Sequence, residues 1–221
     1  MAALPQPLPY HLLELIRQGI IDGRYPPGSA LREQGLEAEY GCSRGPIREA
    51  LRLLEQRGLA THEPRRGYRV RRLDLTTVRQ LYALRALLER HAIEGVAGRV
   101  TPTLLEALRA ENEKMRRHRA AHEVADYIAA NVAFHEAILA AAPNEPLARA
   151  LKVTQEVGEP LRHFMLRHTL AGSRALEEHE EMVEALESGR FQEAAEIMQR
   201  HVMAGLPGAE EAVARQAEEA R

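Results

Sequence analysis

The stretch from Gly41 to Gly58 constrains the fold most, because its sequence, GCSRGPIREALRLLEQRG, is typical of a tight turn that opens a helix. Gly41 can take the left-handed conformation that ends a preceding helix. Ser43 is a suitable N-cap, and Pro46 falls in the first turn, where its missing N–H breaks no helical hydrogen bond. Apolar residues recur at helical spacing on one side, namely Ile47, Leu51 and Leu54. The stretch therefore predicts an amphipathic helix that is entered through a turn from another helix.

The polar side of this helix carries arginines spaced four residues apart, Arg44, Arg48 and Arg52. The planar guanidinium of arginine can pair bidentately with guanine or grip a phosphate. A short helix with an apolar back and an arginine front suits the major groove of DNA. A solvated amphipathic helix whose arginines only provide solubility is the alternative interpretation.

The flanking segments predict a winged helix-turn-helix domain over residues 1–72. Helices are predicted at about 9–22 and 31–40 before the arginine helix, and two short strands at about 59–62 and 68–71 after it. The turn between the strands carries Arg65, Arg66 and Gly67, so this hairpin can act as a wing that reaches the minor groove or grips phosphates. An ordinary solvent-exposed hairpin is the alternative.

Beyond Asp74, a plausible N-cap, the chain is predicted to be helical almost to its end. Glycine and proline punctuation, including a break at Gly172-Ser173, divides it into six helices at about 74–98, 102–119, 122–141, 145–171, 173–188 and 190–205. Six helices with short connections form an antiparallel bundle, so we expect a mainly α chain whose second domain spans 73–206. The polar residues 207–221 are predicted to be a tail, either a frayed helix or disordered.

Charge is distributed unevenly between the two predicted domains. Residues 1–72 contain 12 Arg against 8 Asp and Glu, whereas residues 73–221 contain 18 Lys and Arg against 24 Asp and Glu. A modestly basic N-terminal part fits a nucleic-acid contact at that end. Cys42 is the only cysteine, so no intrachain disulfide can form, and no apolar run predicts a signal peptide or a membrane span. We therefore expect a cytoplasmic protein without a membrane partner.

Polar residues interrupt the apolar faces of three predicted bundle helices. Asn131 and His135 lie four residues apart on one inner face, His179 lies on a second and His201 on a third. Burying three imidazoles without partners is costly, and one shared metal ion would satisfy all of them. Imidazole nitrogens suit zinc, nickel, copper or iron. Separate core histidines, each with its own hydrogen bond, are the alternative.

Arg85 lies on the inner stripe that we predict for the first bundle helix, which consists of Leu81, Leu84, Leu88 and Ala92. A buried guanidinium needs an anion. Glu89, one turn further along, can supply that anion, and a ligand carboxylate bound by Arg85 is the alternative.

The segment 31–70 resembles the N-terminal domain of GntR-type bacterial transcription regulators. It matches their pattern in register, through SRGPIREAL at 43–51, RGL at 57–59 and RG at 66–67. The remainder resembles the FCD effector domain of the FadR subfamily, through LYALRALLE at 81–89, NVAFH at 131–135, EEH at 177–179 and RH at 200–201. The count of six helices suggests the VanR-like branch of that subfamily.

The resemblance implies a homodimer that binds a palindromic operator in double-stranded DNA. Arg44 and Arg48 would read bases. The other residues expected at the DNA are Gln34, Ser43, Pro46, Arg66 and Gly67. Two of these positions depart from the family: Gly45 stands where threonine is usual, and Gln34 stands where some members have arginine, so one hydroxyl and one charge are lost from the DNA-facing surface.

The resemblance also implies a small organic-acid effector, which Arg85 would face, and a divalent metal, with zinc expected and nickel as an alternative. The metal would be held by Asn131, His135, His179 and His201. Asn131 stands where aspartate is commonest in the family. Because a neutral amide oxygen is a weaker ligand than a carboxylate, we expect lower metal affinity or a different metal.

These inferences predict a dimeric transcriptional regulator, a repressor rather than an activator, whose operator binding responds to the effector. A direct metal sensor, in which the ion itself is the signal, is the alternative within this class. A metalloenzyme with an appended DNA-binding domain is the alternative from another class. The segment HEEMV at 179–183 lacks the second histidine of an HExxH motif, so we expect no enzyme.

Overall fold

The computed structural model of the chain describes residues 7–169 and 174–219. It contains a small domain of helices with a three-stranded sheet, followed by a larger domain of packed helices. The predicted mainly α architecture, with a winged helix-turn-helix and a helical bundle, is confirmed. The predicted helix break at Gly172-Ser173 lies outside the described residues.

Three helices form most of the first domain: α1 (Leu8–Ile21), α2 (Glu33–Tyr40) and α3 (Arg44–Gln56). Helix α3 buries its whole apolar side against α1 and α2, with no exposed surface on Ile47, Ala50, Leu51 and Leu54. Burying each large aliphatic side chain contributes about 1.5–3 kcal/mol, so this core fixes the rotation of α3 about its axis. The arginines on the opposite side consequently face solvent.

Glycines set both ends of the α3 segment. Gly41 ends α2 in the left-handed conformation, with φ +62°, and its N–H donates to the carbonyl oxygen of Glu37. Gly58 follows α3 with φ +74°. Ser43 is the N-cap residue of α3, as predicted, but its hydroxyl accepts no capping hydrogen bond. The turn geometry is therefore held by the glycine and by core packing more than by the serine.

The sheet consists of β1 (Ala30–Leu31), β2 (Ala60–Glu63) and β3 (Gly67–Val70), in the antiparallel order β1-β3-β2. Strands β2 and β3 are the predicted hairpin. The first strand was not predicted: Leu31 was assigned to the second helix, but it pairs with Tyr68 of β3, and α2 begins only at Glu33. A two-residue strand has no alternation that could distinguish it from the start of a helix.

The second domain begins at Asp74, whose carboxylate caps the first helix by accepting from the Thr77 N–H at 2.7 Å. Its helices agree with the predicted divisions within a few residues at each end: α4 (Leu75–Gly95), α5 (Pro102–Ala121), α6 (Val124–Ala141), α7 (Glu145–Thr169), α8 (Ala175–Glu187) and α9 (Phe191–Ala204). Their shared core includes fully buried Ile93, Phe134, Met182 and Met198.

The buried face of α4 agrees with the predicted one at Ala92 but differs from it elsewhere. Leu84 was placed on the inner stripe but is 46% exposed, and Leu87 beside it is 59% exposed. The buried positions of α4 are Val78, Ala86, Glu89, Ala92 and Ile93. Helix α9 packs on α4, and Glu89 contacts His135 of α6 on this buried face.

The residues predicted to be a tail form a further helix, α10 (Leu206–Glu219). Ala209 is fully buried and Ala212 nearly so, and they pack in one cluster with Val78 of α4 and Leu161 of α7. Alanine allows helices to approach closely but carries little hydrophobic signal, so the sequence pattern understated this packing. With α10 the described part of the bundle has seven helices, one more than predicted.

Helix α7 contacts the first domain. Glu159 of α7 accepts a hydrogen bond from Arg17 of α1 at 2.5 Å. Val157, half a turn before it, lies directly against Gly58, since a side chain at Gly58 would come within 2.9 Å of a Val157 methyl carbon. This contact joins the end of α3 to the helical domain.

One of the described helices, α6, is long and apolar enough to cross a membrane by length and composition alone, although no such run was predicted. In the structure it packs inside the bundle. Its Tyr127, Phe134 and Ile138 are almost completely buried by the neighbouring helices. These contacts account for its apolar composition as that of a core helix.

Candidate DNA-binding surface and candidate metal and effector site

The arginine side of α3 is open to solvent. The side chains of Arg44 and Arg48 are 60% and 63% exposed. Gln34 on α2 and Ser43 at the turn are also exposed, whereas Pro46 in the first turn of α3 is half-buried. The structure thus brings most of the predicted DNA-contacting residues of the helix pair onto one accessible face.

Acidic residues of α2 hold these arginines in the free protein. Arg48 donates from Nε and Nη2 to both carboxylate oxygens of Glu33, each at 3.1 Å. Arg44 donates from Nε to Glu37 at 2.8 Å. The guanidinium groups are therefore pre-positioned beside α2 but remain accessible to a ligand.

The hairpin turn supplies a second exposed cationic group. The side chain of Arg66 is 75% exposed and lies 3.9 Å from Glu63, and Arg65 next to it has a left-handed backbone, with φ +67°. Gly67 begins β3 and is half-buried. The turn has the exposure and the charge that a DNA-contacting wing needs.

The three predicted histidines meet in the core of the bundle. His135 of α6, His179 of α8 and His201 of α9 place one ring nitrogen each within 4.8 Å of one another. The Nε2 atoms of His179 and His201 are 3.2 Å apart. Phe134 stacks on His179, with ring centroids 3.9 Å apart, and shields it from solvent. Helical periodicity thus identified three side chains that converge although they are far apart in sequence.

The other ring nitrogen of each histidine has its own polar partner. The Nδ1 atom of His135 lies 2.9 Å from Glu89 and that of His201 lies 2.8 Å from Glu178. The Nδ1 atom of His179 lies 3.3 Å from the Asn112 side-chain oxygen. An acceptor on Nδ1 fixes the tautomer with the proton on Nδ1 and leaves Nε2 as the electron-pair donor, which is the usual outer-shell arrangement of metal-binding histidines.

Burial determines the charge of these rings. It lowers the pKa of His135 to about 4, although the Glu89 carboxylate opposes this shift. Burial, with the neighbouring His201 and His135, lowers the pKa of His179 well below its ordinary value. For Glu89 burial favours the neutral form, but His135 and Arg85 outweigh it and hold the pKa well below its ordinary range. At neutral pH the two imidazoles are uncharged, the form that binds a metal.

One further observation indicates that these donor atoms could hold a divalent metal. The Nε2 atom of His135 is buried and has no hydrogen-bond partner among the described residues. A buried acceptor nitrogen without a partner is costly unless something else satisfies it. Asn131 is half-buried one turn before His135 and lines the same cavity as His201.

That cavity, of about 570 Å³, also reaches the predicted effector residue. Arg85 lines it and donates from Nε to Glu89 at 3.0 Å. The two interpretations of Arg85 are therefore compatible: it has the intramolecular partner that the sequence suggested, and it borders a cavity that can hold a small molecule. Through Glu89 it is linked to His135.

Sequence reasoning missed the polar partners of the histidines. Asn112 was not considered, although it interrupts the apolar stripe of α5 formed by Leu105, Leu108 and Met115. That interruption is the same signal by which the histidines were found. Glu89 was considered only as a partner of Arg85, and Glu178 only as part of a motif. Their second roles depend on contacts between helices that no local pattern shows.

Comparison with known families finds two matches. Residues 10–70 match the family described as bacterial regulatory proteins, gntR family, and residues 80–204 match the FCD domain. The first match covers the helix-turn-helix and the hairpin, and the second covers the histidine cluster.

Similar individual proteins agree with these family matches. The chain is 32% identical to a probable D-xylose utilization operon transcriptional repressor of Paenarthrobacter nicotinovorans, over 88% of this chain and 85% of that protein. It is 34% identical to an uncharacterized HTH-type transcriptional regulator of Bacillus subtilis, over 67% of this chain and 68% of that protein. The crystal structure of a putative GntR regulator from a Rhodococcus species has the same fold, with a TM-score of 0.76 at 21% identity, covering 91% of this chain and 96% of that one.

Proposed function

Because the chain belongs to the GntR family of bacterial regulatory proteins and carries an FCD domain, it is a DNA-binding transcriptional regulator, and we propose that it is a homodimeric repressor. In this proposal it binds a palindromic operator in the cytoplasm and leaves it when a small organic acid occupies the cavity beside the histidine cluster. The chain groups with transcription regulators and not with enzymes.

The observation that carries the DNA-binding role is the exposed arginine face of α3. A buried apolar back holds this helix at a fixed rotation, so Arg44 and Arg48 point away from the domain and can enter a major groove. Arg66 at the hairpin turn adds a cation that can contact a phosphate or the minor groove. A repressor role is supported by the relative named as a repressor, with 32% identity over most of both chains.

For the metal, the proposal names His135, His179 and His201 as the ligands, with Asn131 as a fourth. It is supported by their convergence, by the acceptors on Nδ1 and by the unpartnered Nε2 of His135. The ion expected is zinc, with nickel as an alternative. When bound it supplies positive charge at the wall of the cavity, which favours an anionic ligand. Arg85 is the residue proposed to meet the carboxylate.

The test of this function is operator binding by the Arg48→Ala protein. Fragments selected from genomic DNA by the wild-type protein serve as probes, with affinity measured by fluorescence anisotropy and contacts by footprinting. Removing a guanidinium that pairs with guanine should weaken binding by about 1–3 kcal/mol and relax the preference at one base pair in each half-site.

The matched control is Arg149→Ala, which removes an exposed, paired arginine at the start of α7. This variant should bind like the wild type. An Arg48→Ala protein whose footprint and affinity are unchanged would contradict the base-reading role, and a wild type that selects no DNA would contradict the proposal as a whole.

A further inference from the structure

Arg162 also lines the cavity that we propose for the effector. Arg162 comes from α7, on the side of the cavity formed with Tyr82 and Arg85 of α4. Nothing in the sequence pattern distinguished it, because it lies on a long helix with several charged residues. The structure places it beside Arg85, the arginine that the family resemblance assigns to the effector.

Arg162 has no ion pair or hydrogen bond within the described part of the chain. The acidic groups near it are used elsewhere: Glu159 accepts from Arg17, and Glu89 accepts from Arg85 and contacts His135. Burial and then the positive charge of Arg85 lower the pKa of Arg162 to about 10. A half-buried guanidinium that remains charged and faces another cation is unfavourable until an anion joins it.

The charges around the cavity also favour an anionic ligand. Arg174 and Arg200 line it together with Arg85 and Arg162. Among the described lining residues Glu178 is the single acidic one, and it contacts His201. A cavity of about 570 Å³ has room for a ligand much larger than a simple monocarboxylate of two or three carbons. Two guanidinium groups from two helices can each take one anionic group.

We propose that Arg162 is a second anion-binding residue of this cavity, and that the effector is a small dicarboxylate whose second carboxylate pairs with Arg162. The inference rests on the proposed effector site, in which the first carboxylate meets Arg85 and the histidine cluster. A monocarboxylate of the same length satisfies Arg85 and leaves Arg162 without a partner, so it binds less tightly.

The test compares matched acids on the full-length protein. Succinate and butyrate, glutarate and valerate, and galactarate and galactonate differ in one carboxylate at equal carbon number. Binding is measured by calorimetry and by thermal shift. In the wild type at least one dicarboxylate should bind about 30-fold more tightly than its matched monocarboxylate. A factor of this size lies within the range of coupling energies of close, desolvated charge pairs.

The variant Arg162→Gln should remove that difference and leave the affinity for the monocarboxylate almost unchanged. The ligand-free variant should melt at the temperature of the wild type or above it, because an unpaired cation has been removed. A lower melting temperature together with an equal loss of affinity for both acids would mean that Arg162 has only a structural role, and would overturn the proposal. Arg79→Gln, which removes an exposed arginine paired with Glu210, is the control and should change neither affinity.

The outcomes separate this inference from the proposed function. If monocarboxylates bind as tightly as dicarboxylates and release operator DNA, the function stands and the dicarboxylate inference is wrong. If no acid in either series binds or releases operator DNA, the carboxylate effector and the role of Arg162 are both wrong, while operator binding by α3 is unaffected.

Discussion

At the scale of single residues, hydrogen-bond contacts fix the orientation of each ring in the histidine cluster. Each ring is held through Nδ1 by a different acceptor, and each acceptor comes from a different helix: Glu89, Asn112 and Glu178. Orientation of this kind is what a metal site requires of its outer shell. The residue that departs from the family, Asn131, is the one expected to weaken the site.

The residue-scale prediction concerns metal retention. His179→Ala should reduce the metal content of the purified protein to background in elemental analysis, because it removes the ring at the centre of the cluster. Zinc added to metal-free wild type at about 100 times its dissociation constant should stabilise it by about 2.7 kcal/mol, and should not stabilise the variant.

Two further variants sharpen this test. His122→Ala changes an exposed histidine after α5 and should leave the metal content unchanged. Asn131→Asp should retain the ion at lower free metal concentration, since a carboxylate is the stronger ligand. Metal retained by His179→Ala at wild-type levels would contradict the assignment.

At the scale of elements, α7 connects the two regions where function is proposed. Within six residues it carries Val157 against Gly58, Glu159 bound to Arg17, and Arg162 at the cavity. Pro160 lies between the contacts to the first domain and Arg162, and a proline inside a helix removes one backbone hydrogen bond and favours a bend there. A ligand that pulls on Arg162 therefore acts on the same helix that holds the DNA-binding domain.

The element-scale prediction is that Gly58→Ala destabilises the protein more than Gly41→Ala. Both glycines have positive φ, and the strain of a side chain there is about 1–3 kcal/mol. At Gly41 the new methyl group meets nothing within 4 Å, whereas at Gly58 it would lie 2.9 Å from Val157. Valine is stiff and cannot easily yield, so α7 must shift. Urea unfolding followed by circular dichroism measures the difference.

Val157→Ala provides the control for that contact. Combined with Gly58→Ala it should recover the part of the lost stability that comes from the collision, and combined with Gly41→Ala it should recover none. Equal losses at the two glycines would show that α3 and α7 do not press on each other in solution.

Elements with strong periodicity and clear end signals could be predicted from the sequence, and others could not. The α3 helix was predicted because apolar spacing, a glycine stop and a proline in the first turn agree. Helix α10 was mistaken for a tail because its buried anchors are mainly alanines, such as Ala209 and Ala212. Leu84 was placed in the core because an apolar residue that faces solvent looks the same in sequence as one that faces the interior.

Some residues of the candidate site could likewise be predicted from the sequence, and others could not. Helical spacing sufficed to choose His135, His179 and His201, because an inward-facing histidine is visible within one helix. Their partners were not predicted, since they come from other helices. Arg162 was missed because a charged residue is ordinary in sequence. It becomes informative only in the structure, where the nearby acidic groups among the described residues already have other partners.

At the scale of the whole molecule, the proposed palindromic operator requires a second copy of the chain related by a twofold axis. Helix α4 offers a surface for such a contact, with Leu84 and Leu87 exposed within one turn on the outside of the bundle. Large exposed aliphatic residues side by side are typical of a face that another protein covers. This surface lies on the same helix as Arg85, so assembly and ligand binding share an element.

The molecular-scale prediction is that Leu87→Glu converts the proposed dimer to a monomer, because a buried unpaired carboxylate in an apolar interface is costly. Light scattering after size exclusion should give twice the chain mass of 24.8 kDa for the wild type and the single chain mass for the variant. Leu8→Glu, at a leucine of α1 that is 47% exposed, should remain dimeric. A dimer that survives Leu87→Glu would place the interface elsewhere.

The pairing of Arg44 and Arg48 with glutamates of α2 has a consequence for specificity. Any DNA must compete with Glu37 and Glu33, which already occupy these guanidinium groups in the free protein. A phosphate offers an arginine little that a carboxylate does not, so random sequence gains little by the exchange. A guanine edge offers two acceptors in addition to the phosphates that every sequence presents, so only the matching sequence gains a further pair of hydrogen bonds. By competing for the guanidinium groups, the two glutamates lower the affinity for all DNA. They lower it more for random sequences than for the operator, and so increase the ratio of the two affinities.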